Sequence, residues 1–250
     1  VIAVLDYGIG NLRSAEKALQ HLGADAALVA DPEAAAGAAG VVLPGVGSFG
    51  RCMEAVRQSG LDRVVDEAVA SGRPFMGICV GMQMLYEGSE ESPGVAGLGL
   101  LPGRVRRLPP GVKRPQMQWN RLLLDQPAHP MVRGLGPDPW VYFVHSYAPP
   151  AGAGVVATCD YGGTVVAAVA RDGVWATQFH PEKSGPVGLA LLGNFVAAVA
   201  AAEGAATGSP PGAGRIPGSM PAAAGSVQRA PGWAQTSPGS GPPTPGTGAP

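Results

Sequence analysis

Charge is scarce in this chain. Only 14% of its 250 residues are Asp, Glu, Lys or Arg, and 17 basic against 18 acidic side chains leave a formal charge of −1. No field of either sign gathers nucleic acid or an anionic membrane, so neither is expected as a partner. Cysteine is scarce too. Three in the whole chain, an odd number, do not build a disulfide framework and suit a reducing compartment, so a cytoplasmic location is expected. Cys52, Cys79 and Cys159 lie far apart, and no paired His/Cys/Asp spacing predicts a metal site. A long hydrophobic run is also missing. The most apolar stretch, Val187–Ala202, has 16 residues and contains Asn194, which reads as too short and too polar to span a bilayer. The opening Val1–Asp6 has no basic segment and reads as a strand, not a signal peptide.

Glycine and proline are abundant instead, 39 and 26 residues or 26% together, beside 46% hydrophobic residues. A share that high borders on low complexity, whereas the hydrophobic content suits a core. The distribution resolves the conflict. Residues 201–250 hold 11 Gly and 10 Pro, so 21 of 50 positions, about twice the density of the preceding two hundred. A globular domain over residues 1–202 and a disordered Gly/Pro/Ala-rich tail over 203–250 are therefore expected.

Within the domain, short Val/Ile/Leu/Ala runs predict strands at Val1–Asp6, Ala26–Ala30, Val41–Leu43 and Pro74–Ile78. Helical spacing between them predicts helices over Asn11–Leu22 and Arg51–Ser71. Such alternation means a parallel α/β sheet covered on both faces. After about residue 100 strand follows strand: Arg104–Leu108, Trp119–Leu124, Val141–His145, Val155–Cys159, Val165–Arg171 and Val174–Phe179. Gly162-Gly163 and Asp172-Gly173 read as hairpin turns among antiparallel strands. A last helix is expected over Gly188–Ala201.

Gly77-Ile78-Cys79-Val80-Gly81 carries the sharpest chemical signal. A buried strand runs straight into a helix, and glycines flank the cysteine. That is the pattern of a nucleophile elbow, with small neighbours leaving room for substrate. A helix N-terminus behind the sulfur favours the thiolate, and the Val80 N–H faces a developing oxyanion. A thiolate needs a base. Of the four histidines, His21 reads as a surface residue of the first helix and His129 as solvated in a Pro-rich loop. His145 and His180 each end an apolar strand. In Phe179-His180-Pro181-Glu182 a carboxylate two residues on can orient the imidazole, so Cys79, His180 and Glu182 form a candidate triad for acyl transfer. Leu43–Phe49 is a Gly-rich loop without the Lys-Ser/Thr of a phosphate loop. It reads either as a lender of oxyanion N–H groups or as ordinary turn glycines.

Asp6–Ser14, Leu43–Phe49, Gly77–Gln83, Val144–Tyr147 and Gln178–Gly185, in this order, resemble the class I (triad-type) glutamine amidotransferases, and among them the glutaminase subunits of imidazole glycerol phosphate synthases. The resemblance covers about residues 1–200. It implies a flavodoxin-like α/β fold, with a mostly parallel sheet flanked by helices and additional antiparallel strands in the second half. It implies that Cys79 attacks the glutamine side-chain amide, that His180 is base and acid, and that Glu182 orients it. Val46 and Val80 would supply oxyanion N–H groups. Gln83 and Glu91 would hold the substrate's head group, and the backbone at His145, Ser146 and Tyr147 its carboxylate. No cofactor is implied. Ammonia would pass to a separate (β/α)₈-barrel cyclase subunit in a heterodimer, on a face bearing Asn11, Trp119, Tyr142 and Lys183. The family usually reads Pro-His-Met-Gly-Trp-Asn where this chain has Pro115-Gln116-Met117-Gln118-Trp119-Asn120. Gln116 removes an imidazole, and Gln118 replaces a glycine suited to a special backbone conformation. Core packing is the alternative for Trp119 and Tyr142. A different triad amidotransferase and a non-catalytic subunit of the same fold are the competing functions.

Overall fold

The computed structural model describes residues 1–207. Its first half alternates strand and helix. Strands β1 (Ile2–Leu5), β2 (Ala26–Val29), β3 (Gly40–Gly45) and β4 (Phe75–Cys79) alternate with helices α1 (Leu12–His21), α2 (Pro32–Ala36), α3 (Phe49–Gln58) and α4 (Leu61–Ala70). Helix α5 (Val80–Met84) starts on the residue after β4, and β5 (Tyr86–Ser89) and β6 (Leu101–Arg107) follow. The second half holds β7 (Gln116–Arg121), β8 (Leu123–Leu124), β9 (Trp140–His145), β10 (Tyr147–Ala148), β11 (Val155–Asp160), β12 (Thr164–Arg171), β13 (Val174–Thr177) and α6 (Gly185–Thr207).

The central sheet has eight strands in the order β2-β1-β3-β4-β13-β12-β11-β8. The pairs from β2 to β13 are parallel, and those from β13 to β8 antiparallel. Every residue of β1, β3 and β4 is buried, as a strand covered on both faces requires. The expected α/β class and its antiparallel second half are both present. The two hairpin turns also stand where expected, with Gly162, Gly163, Asp172 and Gly173 all at positive φ.

Several details differ. The single helix expected over Arg51–Ser71 is two, because Gly60 takes φ +74° between α3 and α4. Helix α2 went unread. Asp31 caps it by accepting from Glu33 N at 3.0 Å, and Pro32 occupies its first turn. Strand β13 closes a hairpin on one side but pairs parallel with β4 on the other. Strands β7 and β9 leave the main sheet and form a two-stranded ribbon of their own.

Helix α6 is longer than expected at both ends, since the Ala-rich stretch after Phe195 continues it. By length and composition Gly185–Ala205, mean hydropathy 1.7, could cross a membrane. Its Leu191, Leu192, Phe195 and Val199 are buried in the domain core, within a window that is 28% buried as a whole. Glu203 to Thr207, placed in the expected tail, are helical here. The rest of that expected disordered tail lies outside the described residues.

Candidate active site

Cys79 is the last residue of β4, and α5 begins at Val80. The chain turns between them at φ +58° and ψ −112° on Cys79, a strained conformation for a residue with a Cβ. The flanking glycines have a different reason from the one expected. A Cβ on Gly81 would overlap the Leu43 carbonyl oxygen, and one on Gly77 would press on the Gly81 backbone at 3.0 Å. They let α5 lie directly on β3 and β4; they do not clear space for a substrate.

Strand β13 is paired in register with β4, Thr177 opposite Ile78, and its chain runs on to His180. The two strands' carboxyl ends therefore bring Cys79 and His180 together, where open α/β sheets place their ligands. Ser184 secures the histidine by donating to the His180 carbonyl at 2.6 Å, and the His180 N–H donates to Tyr142 O at 3.0 Å. The ring Nδ1 lies 2.8 Å from Glu182 Oε1, with both side chains only 2% exposed. Burial alone lowers the basicity of His180. The neighbouring Cys79 sulfur and the Glu182 carboxylate outweigh it and hold the ring at about 9. Nε2 is buried without a hydrogen-bond partner of its own, and the Cys79 sulfur, ahead of Glu182, is the neighbour that raises the ring most. Glu182 Oε1 also accepts from Asn11 Nδ2 at 3.1 Å, which ties the start of α1 to the triad.

A cavity of about 260 Å³ opens over the sulfur. Val46, Val80, Gln83, Glu91, His145, Ser146, Tyr147 and His180 line it with Cys79, so the expected oxyanion and substrate residues share one site. Glu182 stands behind the ring, outside the cavity lining. The loop carrying Val46 follows β3, whose Gly45 is paired with Cys79. It is held from beneath: Tyr7 Oη donates to Pro44 O at 2.6 Å, and Cys52 Sγ to Val46 O at 3.3 Å. Burial pushes the Cys52 thiol up to about 11, which keeps it a proton donor. Glu91 Oε2 accepts from Phe49 N at 2.7 Å at the start of α3, leaving its second oxygen for a ligand.

The departure at Gln116 is absorbed by His145. His145 Nδ1 lies 2.8 Å from Tyr147 O, which can only accept, so Nδ1 carries a proton. Burial lowers His145 to about 4, so the ring is neutral and Nε2 must accept. Nε2 sits 3.0 Å from Gln116 Oε1. Two acceptors cannot bond, so the Gln116 amide satisfies the site when turned over, its NH₂ toward Nε2 and its oxygen toward the Cys159 thiol 3.9 Å from its other arm. Gln118 is exposed and has no positive φ, so no special conformation is needed there.

The other expected residues lie outside the cavity. Trp119 and Tyr142 face each other across the β7–β9 ribbon with ring centroids 6.1 Å apart, and Trp119 is 49% exposed, which rules out core packing for it. Lys183 is exposed beside the triad. Met117 and Trp140 are also exposed on the ribbon and were not singled out from the sequence. His21 is exposed as expected. His129 is half-buried against Trp175 and accepts from Met131 N at 3.1 Å, so it is not simply solvated. Gln178, which no local sequence pattern marks, is also wholly buried beside Cys79. Among the described residues no group of three or more His, Cys, Asp or Glu is gathered for a metal.

A thiol on a strained elbow, an imidazole with a free Nε2 and a carboxylate behind it can carry an acyl group through a thioester. Comparison with known proteins agrees with that chemistry. Residues 3–199 match the family model described as glutamine amidotransferase class-I. The chain is 51% identical over 207 residues to the imidazole glycerol phosphate synthase subunit HisH of Synechococcus elongatus, covering 81% of this chain and 95% of that protein. It is 49% identical over 200 residues to the HisH subunit of Methanothermobacter thermautotrophicus, covering 78% and 98%. Among solved structures, one described as a glutamine amidotransferase matches with a TM-score of 0.63 at 25% identity, over 79% of this chain and 99% of that one. PurLQS from Thermotoga maritima matches in fold, with a TM-score of 0.62 at 21% identity, over 79% and 98%.

Proposed function

The chain belongs to the class-I glutamine amidotransferase family, and from that premise we propose that Cys79, His180 and Glu182 hydrolyse glutamine as the glutaminase half of an imidazole glycerol phosphate synthase in histidine biosynthesis. The observation that carries the reading is the unpartnered Nε2 of His180 beside the Cys79 elbow, where both residues line a cavity of about 260 Å³.

Glutamine binds with its α-ammonium at Gln83 and the second oxygen of Glu91, and its carboxylate along the His145–Tyr147 backbone. Cys79 Sγ attacks the side-chain amide carbon, and its proton rests on His180. A ring held at about 9 is an imidazolium at neutral pH, so His180 serves first as the acid for the departing ammonia. The tetrahedral oxygen faces the N–H groups of Val46 and Val80. Collapse leaves a glutamyl thioester and ammonia. Water then attacks the thioester with His180 as base, releasing glutamate and restoring the thiol. Glu182 holds the ring throughout.

The ammonia goes to a cyclase partner. We assign that partner to the face carrying Asn11, Trp119, Tyr142 and Lys183, as a (β/α)₈ barrel in a heterodimer working in the cytoplasm. The catalytic domain occupies the first two hundred residues, which hold every site residue. The test is Cys79→Ala in the reconstituted synthase. Glutamine-dependent turnover should fall at least a thousandfold, roughly the cost of removing a nucleophile, while turnover with added ammonium salt persists. Glutamine-dependent turnover in that variant would sink the assignment.

A further inference from the structure

The Tyr147 carbonyl is a hub. It receives Gln83 Nε2 at 3.0 Å and His145 Nδ1 at 2.8 Å. A carbonyl only accepts, so it fixes which end of the Gln83 amide is NH₂. That same NH₂ donates to Gln178 Oε1 at 3.0 Å. With its oxygen engaged, Gln178 must present its own NH₂ at the opposite end, and this lies 3.8 Å from Cys79 Sγ. The direction of the whole chain follows from one backbone oxygen. Gln83 is 3% exposed and Gln178 is not exposed at all, so bulk water does not compete for either amide. Both hydrogens of Gln83 are thereby used, which leaves its oxygen as the end available to a ligand in the cavity the residue lines.

We propose that Gln178 is a positioning residue for the glutaminase reaction: its NH₂ donates to the Cys79 sulfur, and its oxygen locks Gln83 with the acceptor end turned toward the substrate. The assignment deepens the glutaminase reading and rests on it for the substrate, but the contact with sulfur does not depend on what that substrate is. A donor on an anionic sulfur stabilises it more than a neutral thiol, so Gln178 favours the attacking form. The fixed Gln83 oxygen selects a ligand with a donor at that point, which an α-ammonium supplies.

Gln178→Met keeps the length of the side chain and removes both functions. Alkylation of Cys79 by iodoacetamide is followed on the full chain at the Cys79 peptide across a pH series. The variant should react about tenfold more slowly at neutral pH, the loss expected for one hydrogen bond to a charged group, with its rate–pH profile displaced to higher pH. In the reconstituted synthase kcat should fall and KM for glutamine should rise together. A merely structural role would lower the unfolding midpoint and leave the alkylation profile in place. Superimposable profiles for wild type and variant would overturn the proposal. If the methionine variant does not fold, Gln178→Asn carries the test, since it keeps the amide but withdraws the donor by one methylene, and the same displacement is expected. Protection of wild-type Cys79 by glutamine is read separately: its absence counts against the glutaminase reading, while the alkylation comparison still decides the sulfur contact.

Discussion

At Gly81 a hydrogen stands where another residue would place a carbon against the Leu43 carbonyl oxygen. The neighbour is backbone in a fully buried strand, so it cannot swing away as a side chain would. Gly81→Ala should therefore push α5 off β3 and cost on the order of 4 kcal/mol or more, the range reserved for disrupted cores and strained backbone. Gly94, with nothing within 4 Å of its missing Cβ, is the control. Gly94→Ala should change stability by less than about 0.5 kcal/mol. Urea unfolding of both variants checks the contrast, and equal stabilities would refute the close-approach account. The same scale explains Gln116. A glutamine can replace an imidazole there because an amide offers a donor to His145 Nε2 with one arm and an acceptor to Cys159 with the other.

Among the elements, the strands were largely legible and their partners were not. The run Val174–Phe179 announces a buried strand by composition, yet nothing in its spacing says that it inserts beside β4. That parallel pairing, not the local His-Pro-Glu pattern, brings His180 to Cys79. Cys79, His180 and Glu182 could be named from local signals, a Gly-flanked cysteine and a carboxylate two residues past a strand-end histidine. Gln178 could not, because a glutamine in an apolar run carries no periodic signal and its role is set by neighbours distant in sequence. The β7–β9 ribbon is the other case. Its alternation reads as ordinary strand, but leaving the main sheet exposes Met117, Trp119 and Trp140 on one element. An aromatic exposed on such a ribbon contributes little to the fold and much to a docked surface. Trp119→Ala should weaken assembly with the cyclase by about tenfold or more, the loss of a hot-spot residue, with little change in the thermal midpoint of the isolated chain. Titration calorimetry against the partner measures the first and thermal unfolding the second. Unchanged affinity would move the docking face elsewhere.

For the whole molecule, the two buried histidines of the site set opposite limits on stability. Burial lowers His145 to about 4 against an ordinary 6.5, with the charge of His180 adding to the effect. The unfolded chain then binds a proton that the native chain refuses. His145 therefore stabilises fully above 6.5, and its contribution is lost as pH falls toward about 4. His180 is the reverse case. For it burial is the opposing influence, and the Cys79 sulfur and Glu182 hold the native ring at about 9, so the native chain keeps a proton that the unfolded chain releases. Its contribution is complete below 6.5 and is lost as pH rises through about 9. Each window corresponds to on the order of 3 kcal/mol, a sizeable part of a domain's whole stability. The unfolding free energy should thus peak near the ordinary histidine value and fall on both sides. Urea denaturation across that range gives the curve. Glu182→Gln removes one of the charges that raise His180, so it should flatten the alkaline limb and leave the acid limb, which belongs to His145, in place. A variant that loses both limbs together would show that the two rings titrate as one unit, and a wild-type curve flat across the range would show that neither ring is held as its surroundings require.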